Sequence, residues 1–369
     1  MRRPSLARIP VPGGKPTLGE GKSRRCSRLP KVRKPAAGGL GRICFSQASA
    51  GALTKRPTGG PVRLGMLPFE HLVAGRRRMA TLPRDRMAGT GRIDGQGEGT
   101  YGSIEAAEGW RRTGAGRAQL LTPVTERMLD LAEIGTGNRV LDVAAGTGEQ
   151  TLLTAHRVGP DGSVLAIDIS SQMLARAAEA ANQAGLGNVE TRILDARDLD
   201  LEPESLDAAI SRLALMLIPE RDRVLAGIHH ALKPGKKFAA LVMATAEQCP
   251  FIALPLAAAA RRVGTPSAPF GDPGMFALGD PAVLVTGYRR AGFREVAVEP
   301  VAVQRRIPSI AAALQIYRDT LPEIPELLAH VGDAEREAAW SDIEAGLRAF
   351  KGPDGLVVPH TYLIGVGTK

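Results

Sequence analysis

Arg139-Val-Leu-Asp-Val-Ala-Ala-Gly-Thr-Gly-Glu149 is the stretch that decides the fold of this chain. Val140, Leu141 and Val143 form the short apolar run of a strand covered on both faces of a parallel sheet. Asp142 interrupts that run near its carboxyl end. Gly146 and Gly148 follow where the chain must turn sharply and let a ligand approach the backbone. Beyond them Leu152, Leu153 and Val158 can face a core, so the stretch reads as strand, glycine turn and helix, the framework of a nucleotide site.

The same rhythm continues outward. Ser163–Ile167 is a second apolar strand ending at Asp168, and Ser170 caps a helix with Met173, Leu174, Ala177, Ala178 and Ala181 at helical spacing. Val189–Leu194 is a third strand ending at Asp195, and Leu206–Ser211 a fourth. A helix from Pro219, a turn at Lys233–Lys236 and an apolar run at Lys237–Met243 follow. Asp280 and Pro281 open another helix, Phe293–Val298 is a sixth strand and Thr361–Gly367 a seventh. Upstream, Ser103–Arg112 is a short helix with Trp110, and a Gly114/Gly116 link leads to a helix with Thr122 as cap and Pro123 in its first turn. Strand and helix alternate, which predicts an α/β fold: a Rossmann-like, doubly wound, mostly parallel seven-stranded sheet with helices on both faces. Residues 248–279 and 305–359, the latter with amphipathic helices at 309–321 and 333–350, break the rhythm as two helical insertions suited to a lid.

Charge separates the chain into two parts. Residues 1–92 hold 21 Lys and Arg against Glu20, Glu70 and Asp85, a net of +18. The whole chain is +10, so residues 93–369 carry −8. That Gly-, Pro-, Arg- and Ser-rich leader lacks sustained periodicity and is expected to be disordered, with the working protein starting near Met79 or Met87. No aromatic residues interleave with its charges, and no nucleic-acid partner is expected for the folded domain. No run is long and apolar enough to span a membrane. Cys26, Cys44 and Cys249 form no disulfide framework and no zinc spacing, which fits a cytoplasmic protein without a bound metal.

Three acids, Asp142, Asp168 and Asp195, each end a successive strand and should converge on one crevice. A carboxylate after the second strand offers two acceptor oxygens to a pair of ribose hydroxyls. A dinucleotide turn would need G-x-G-x-x-G, but Thr151 stands where the third glycine belongs. Asp142 before the turn would repel a pyrophosphate and welcome a cation, so the pocket suits a nucleoside carrying positive charge.

These motifs resemble those of the class I S-adenosylmethionine-dependent methyltransferases, and in particular the small-molecule branch of ubiquinone/menaquinone C-methyltransferases. Asp142-Val-Ala-Ala-Gly146-Thr-Gly148 looks like the family's D-x-G-x-G-x-G. Val164–Ser170, Leu194-Asp195-Ala196, Leu206–Ile210 and Leu232-Lys-Pro-Gly235 resemble its later motifs in order. The resemblance implies S-adenosylmethionine as cofactor. Asp142 would face the methionine ammonium through water, the backbone at Ala144, Gly146 and Gly148 would pass beneath the amino-acid portion, and Asp168 would take the ribose hydroxyls. Ile169 and Met173 would pack near the adenine, Asp195 and the amide of Ala196 would read its edge, and Arg212 would lie near the methionine moiety. Ala144 departs from the family's glycine, with only a modest local adjustment expected. No Asn/Asp-Pro-Pro-Tyr follows the fourth strand, so the expected acceptor is carbon or oxygen of a small, fairly apolar molecule. No catalytic base is identified; His360, Tyr288, Arg212 and Cys249 are pocket candidates. The competing readings are an NAD-dependent dehydrogenase and a non-catalytic RNA-binding or regulatory protein on the same fold.

Overall fold

The computed structural model describes residues 104–265 and 270–369. The expected disordered leader, 1–92, lies outside the described residues. Seven strands form a sheet in the order β3-β2-β1-β4-β5-β8-β6, with a short β7 paired to β8 off that path. Strands β1 (Arg139–Val143), β2 (Ser163–Asp168), β3 (Val189–Ile193), β4 (Leu206–Arg212) and β5 (Leu232–Met243) run parallel. Strand β8 (Gly355–Thr368) is antiparallel to both β5 and β6 (Arg294–Ile307), and β7 is Lys351–Gly352. Successive residues Val140, Leu141, Asp142 and Val143 are all buried, so both faces of the central strand are covered. That covering explains the uninterrupted apolar run in the sequence.

Helices α3 (Glu149–Val158) and α4 (Ser171–Gln183) follow β1 and β2, and α5 (Arg221–Ala231) precedes β5. Their caps are local and legible: the Ser170 hydroxyl accepts from the Met173 amide, Asp280 from Ala282 at α7 (Pro281–Arg290), and Ser309 from Ala312 at α8 (Ile310–Thr320). The expected turn at Lys233–Lys236 sits inside β5 as an irregularity, with Gly235 left-handed at φ +76° and the register jumping from Leu206↔Leu232 to Ala208↔Lys237.

Two expectations require correction. Thr122 is not a helix cap: α1 (Ile104–Arg112) is followed by α2 (Gly114–Leu131), which carries Pro123 in its interior. The face of Leu121, Val124, Thr125, Met128 and Leu129 is buried, and that packing outweighs the hydrogen bond Pro123 removes. The second correction concerns the end of the sheet. Strand β6 does not stop at Val298 but runs through Pro300 to Ile307, and β8 starts at Gly355 and passes through Pro359. Proline is tolerated because β6 is an edge strand, and β5 pairs with β8 only as far as Tyr362, leaving Pro359 with one neighbour. The second insertion is therefore shorter than 305–359: its ends are strand, and its body is α8, α9 (Glu323–Leu327) and α10 (Asp333–Leu347).

Candidate functional site

A cleft opens at the carboxyl ends of β1, β2, β4 and β5, where strand order reverses direction between β1 and β4. Its floor begins in the turn after β1. Ala144, Gly146 and Gly148 have φ of +56°, +57° and +85°, so alternate residues are left-handed and the spacing of small residues there is a backbone requirement. Gly146 is open to the cleft: an added Cβ would meet no atom within 4 Å, and its amide donates to Asp168 Oδ2 at 2.9 Å. Gly148 answers a different need. A Cβ there would lie 2.8 Å from Ala177 Cβ, so its hydrogen is what lets α3 start against α4. Leu213, just past β4, is also left-handed at φ +58° and also lines the cleft. Two side-chain-bearing residues in left-handed backbone, Ala144 and Leu213, thus border the cleft.

The three acids separate into three environments. Asp168 lines the cleft, half-buried, with Oδ1 accepting from the Ser170 amide and Oδ2 from Gly146, both at 2.9 Å. Burial raises its pKa against the pull of those backbone donors. The Ile169 amide also bonds this carboxylate, whose side chain still borders the cleft. Asp142 is fully buried and does not line the cleft. Its Oδ1 accepts from Gln150 Nε2 at 3.1 Å and its Oδ2 from Thr151 Oγ1 at 2.6 Å. Burial pushes its pKa from 3.8 up to about 6, against the hydrogen bonds from Thr151 and Gln150 and the charge of Arg212. Gln150, one of the two donors to Asp142, does line the cleft. Asp195 lines the cleft, but caps the short 196–198 turn through the Arg197 amide and is gripped by the Arg197 guanidinium at 2.6 Å. The Arg197 side chain holds the Asp195 carboxyl below the usual range.

Ile169, Met173, Ala196 and Arg212 also line the cleft, so eight of the ten expected cofactor residues border it and Asp142 and Gly148 do not. Among the pocket candidates only Arg212 does. Tyr288 is buried and donates to Gly365 O at 3.0 Å, the Cys249 thiol donates to Thr361 O at 3.2 Å, and His360 is sealed in the core. Of the two insertions, the first reaches the cleft, through Met275.

One part of the site was invisible in the sequence. Glu149, the first residue of α3, accepts from Arg212 at 2.8 Å and from Arg117 of α2, while Arg117 lies 4.3 Å from the centre of the Trp110 ring. Burial works to raise the Glu149 carboxyl, but the two arginines outweigh it and hold it below its ordinary value. Trp110 and Arg212 both face the cleft, so this chain of contacts joins α1, α2, α3 and β4 into one wall. Its members lie 32 and 63 positions apart, beyond any local pattern.

A nucleoside fits what the cleft offers. Asp168 presents a carboxylate, Gly146 leaves open space above the turn, and Ile169, Met173, Leu194 and Leu217 give apolar surface for a ring. Residues 134–261 match the family model of a methyltransferase domain. Among similar proteins, the arsenite methyltransferase of Halobacterium salinarum is 34% identical over 108 residues, covering 29% of this chain and 28% of that protein. The nocamycin O-methyltransferase of Saccharothrix syringae is 34% identical over 116 residues, covering 31% and 41%. The ubiquinone/menaquinone biosynthesis C-methyltransferase of Methylococcus capsulatus is 35% identical over 114 residues, covering 31% and 46%. The chain thus spans less than half the length of these relatives. Over residues 134–261 it is thus similar to methyltransferase domains of the class I S-adenosylmethionine-dependent kind. Within that class it resembles the ubiquinone/menaquinone C-methyltransferases. Among the described residues no helix is long and apolar enough to cross a membrane.

Two outcomes follow from the turn. Ala144→Gly should raise stability by roughly 0.5–1 kcal/mol, because relief of left-handed strain exceeds the added chain entropy of glycine; a urea titration that shows a loss contradicts this. Asp142, its folded pKa raised from 3.8 to about 6, contributes most favourably below pH 3.8 and loses that contribution as pH rises through about 6. Asp142→Asn should therefore match the parent near pH 4 and exceed it near pH 8 by on the order of 2–3 kcal/mol, read from denaturation midpoints across that range. A difference that does not change with pH would remove the argument.

Proposed function

We propose that this protein is a methyltransferase that transfers a methyl group from S-adenosylmethionine to carbon or oxygen of a small, fairly apolar organic molecule. The observation that carries the reading is Asp168. Its carboxylate is fixed by backbone amides at the edge of a glycine turn and borders the cleft, where we read it as the acceptor of two ribose hydroxyls. On this reading Ile169 and Met173 pack against the adenine, while Asp195 and the amide of Ala196 meet its polar edge. Ala144 and Gly146 run beneath the amino-acid portion. Gly148 serves by seating α3 on α4, and Asp142 acts at one remove, orienting the Gln150 amide that meets the ligand. Arg212, anchored by Glu149, is placed to pair with the methionine carboxylate.

When bound, the cofactor supplies a methyl group on a sulfonium, whose transfer releases a neutral thioether. The chain's task is then alignment and exclusion of water. Met216, Met243 and Met275 give the acceptor end of the cleft an apolar, adaptable wall, and Trp110 borders the same space. We read residues 93–369 as the catalytic domain, with the first insertion covering the acceptor through Met275. Thr151 weighs against the dehydrogenase reading: it is buried with its hydroxyl committed to Asp142, in place of the glycine a pyrophosphate turn requires. The similar O- and C-methyltransferases named above support a carbon or oxygen acceptor. A free, buried Cys249 thiol suits a reducing compartment such as the cytoplasm.

Calorimetric titration tests the cofactor reading. The intact chain should bind S-adenosylmethionine, and Asp168→Ala should weaken binding by at least about 100-fold through loss of two charge-assisted hydrogen bonds. An intact chain that does not bind, or an Asp168→Ala variant that binds equally well, overturns the assignment.

A further inference from the structure

Strand order tells the two ends of the cleft apart. One end lies over β4 and β5 and is bordered by Met216, Met243 and Met275, the last reached along the chain through α6 (Pro250–Arg262) of the first insertion. The other lies at the carboxyl end of β3. Leu194, Asp195, Ala196 and Arg197 border it, and Leu217, Ile218 and Pro219 come from the segment between β4 and α5. Arg197 thus brings a guanidinium to the end of the cleft where the base of a nucleoside would lie.

Two acids fix that guanidinium. Its Nη2 donates to Asp195 Oδ2 at 2.6 Å and its Nε to the same oxygen at 3.0 Å, with Nε also 3.1 Å from Oδ1. Its Nη1 lies 3.7 Å from Glu220, immediately before α5. The planar fork therefore sets the plane of the Asp195 carboxylate and reaches from the end of β3 toward the start of α5. The Arg197 and Asp195 side chains are 18% and 28% exposed, so the pair is accessible from the cleft that it borders.

The turn alone does not call for this clamp. Asp195 already caps the 196–198 turn by accepting from the Arg197 amide at 2.9 Å, without help from the guanidinium. A partly exposed ion pair also adds little to stability. What the guanidinium adds is orientation and charge: it stops the carboxylate from rotating, and its hydrogen bonds hold that carboxyl below the usual range.

An ionised carboxylate accepts hydrogen bonds and cannot donate them. With the Ala196 amide beside it, the clamped Asp195 offers an acceptor and a donor in fixed order. A 6-aminopurine edge is the complement, since its amino group donates and its N1 accepts. A 6-oxopurine edge is the inverse: its carbonyl oxygen would face the carboxylate and its N1–H would face the amide. A mobile carboxylate could turn away from that clash, whereas a clamped one stays.

The geometry points to Arg197 as a positioning residue that sets base specificity: by clamping Asp195, it makes the cleft select a 6-aminopurine nucleoside over a 6-oxopurine one. The proposal rests on the methyltransferase reading, in which the base lies against Ile169 and Met173, and adds to it a residue just beyond the Leu194-Asp195-Ala196 motif.

Calorimetry on the full chain with S-adenosylhomocysteine and S-inosylhomocysteine, which differ only in this purine edge, tests the proposal. The intact chain should bind the adenosyl ligand at least about 100-fold more tightly than the inosyl ligand. Arg197→Met should weaken the adenosyl ligand about tenfold and leave the inosyl ligand within about twofold, so that the ratio between them falls about tenfold. Arg197→Lys keeps the charge without the fork, and its ratio should fall between those of the intact chain and Arg197→Met. A purely structural role would weaken both ligands by the same factor. That outcome overturns the proposal, as does an intact chain that binds S-adenosylhomocysteine but does not distinguish it from the inosyl ligand, or an Arg197→Met variant that keeps the full ratio. An intact chain that binds neither ligand overturns the cofactor reading and this proposal with it.

Discussion

The hydrogen bond from the Gly146 amide to Asp168 is the constraint on which the rest of the site depends. It ties the turn after the first strand to the end of the second, across the parallel pairing that sets Asp142 beside Ala166 and Val143 beside Ile167. Once that tie is made, the backbone from Ala144 to Gly148 must pass through three left-handed residues to enter α3. Sequence follows geometry here. Glycine at 146 exposes an open floor, glycine at 148 admits the neighbouring helix, and alanine at 144 is tolerated at a cost of about 1–2 kcal/mol because a methyl group is the smallest side chain that can be strained there.

Electrostatics divides the site by depth. At the cleft surface Asp168 is held by backbone amides alone, and Asp195 is neutralised by Arg197. Beneath them Asp142 is buried as an acid whose pKa of about 6 leaves its charge unfavourable at neutral pH, a condition a cationic ligand nearby would relieve. Toward the other wall Glu149 holds Arg117 and Arg212 together.

What the sequence made legible was what is encoded locally. The five parallel strands, the helix starts at Ser170 and Asp280, and the acids at the strand ends were all read from patterns a few residues long. The extent of β6 and β8 was hidden because proline signals a break unless the strand is known to lie at an edge, and edges are set by topology. The start of α2 was hidden because Thr122-Pro123 is a good local cap, and only the buried face of the helix overrides it. The difference in depth between Asp142 and Asp168 was not legible, since both read as strand-end acids converging on one crevice. Their different roles follow from depth, since Gln150 and Thr151 close over the first while the second stays at the cleft. The Trp110–Arg117–Glu149–Arg212 wall joins distant segments and carries no local signature at all.

The central claim is that the cleft above the glycine turn holds a nucleoside by its ribose on Asp168. A crystal structure of the protein with S-adenosylhomocysteine tests it most directly. The account predicts both ribose hydroxyls within hydrogen-bonding distance of the Asp168 carboxylate, the adenine against Ile169 and Met173, and the backbone at Gly146 beneath the amino-acid portion. A ligand bound elsewhere, or one in the cleft whose ribose does not reach Asp168, would contradict it.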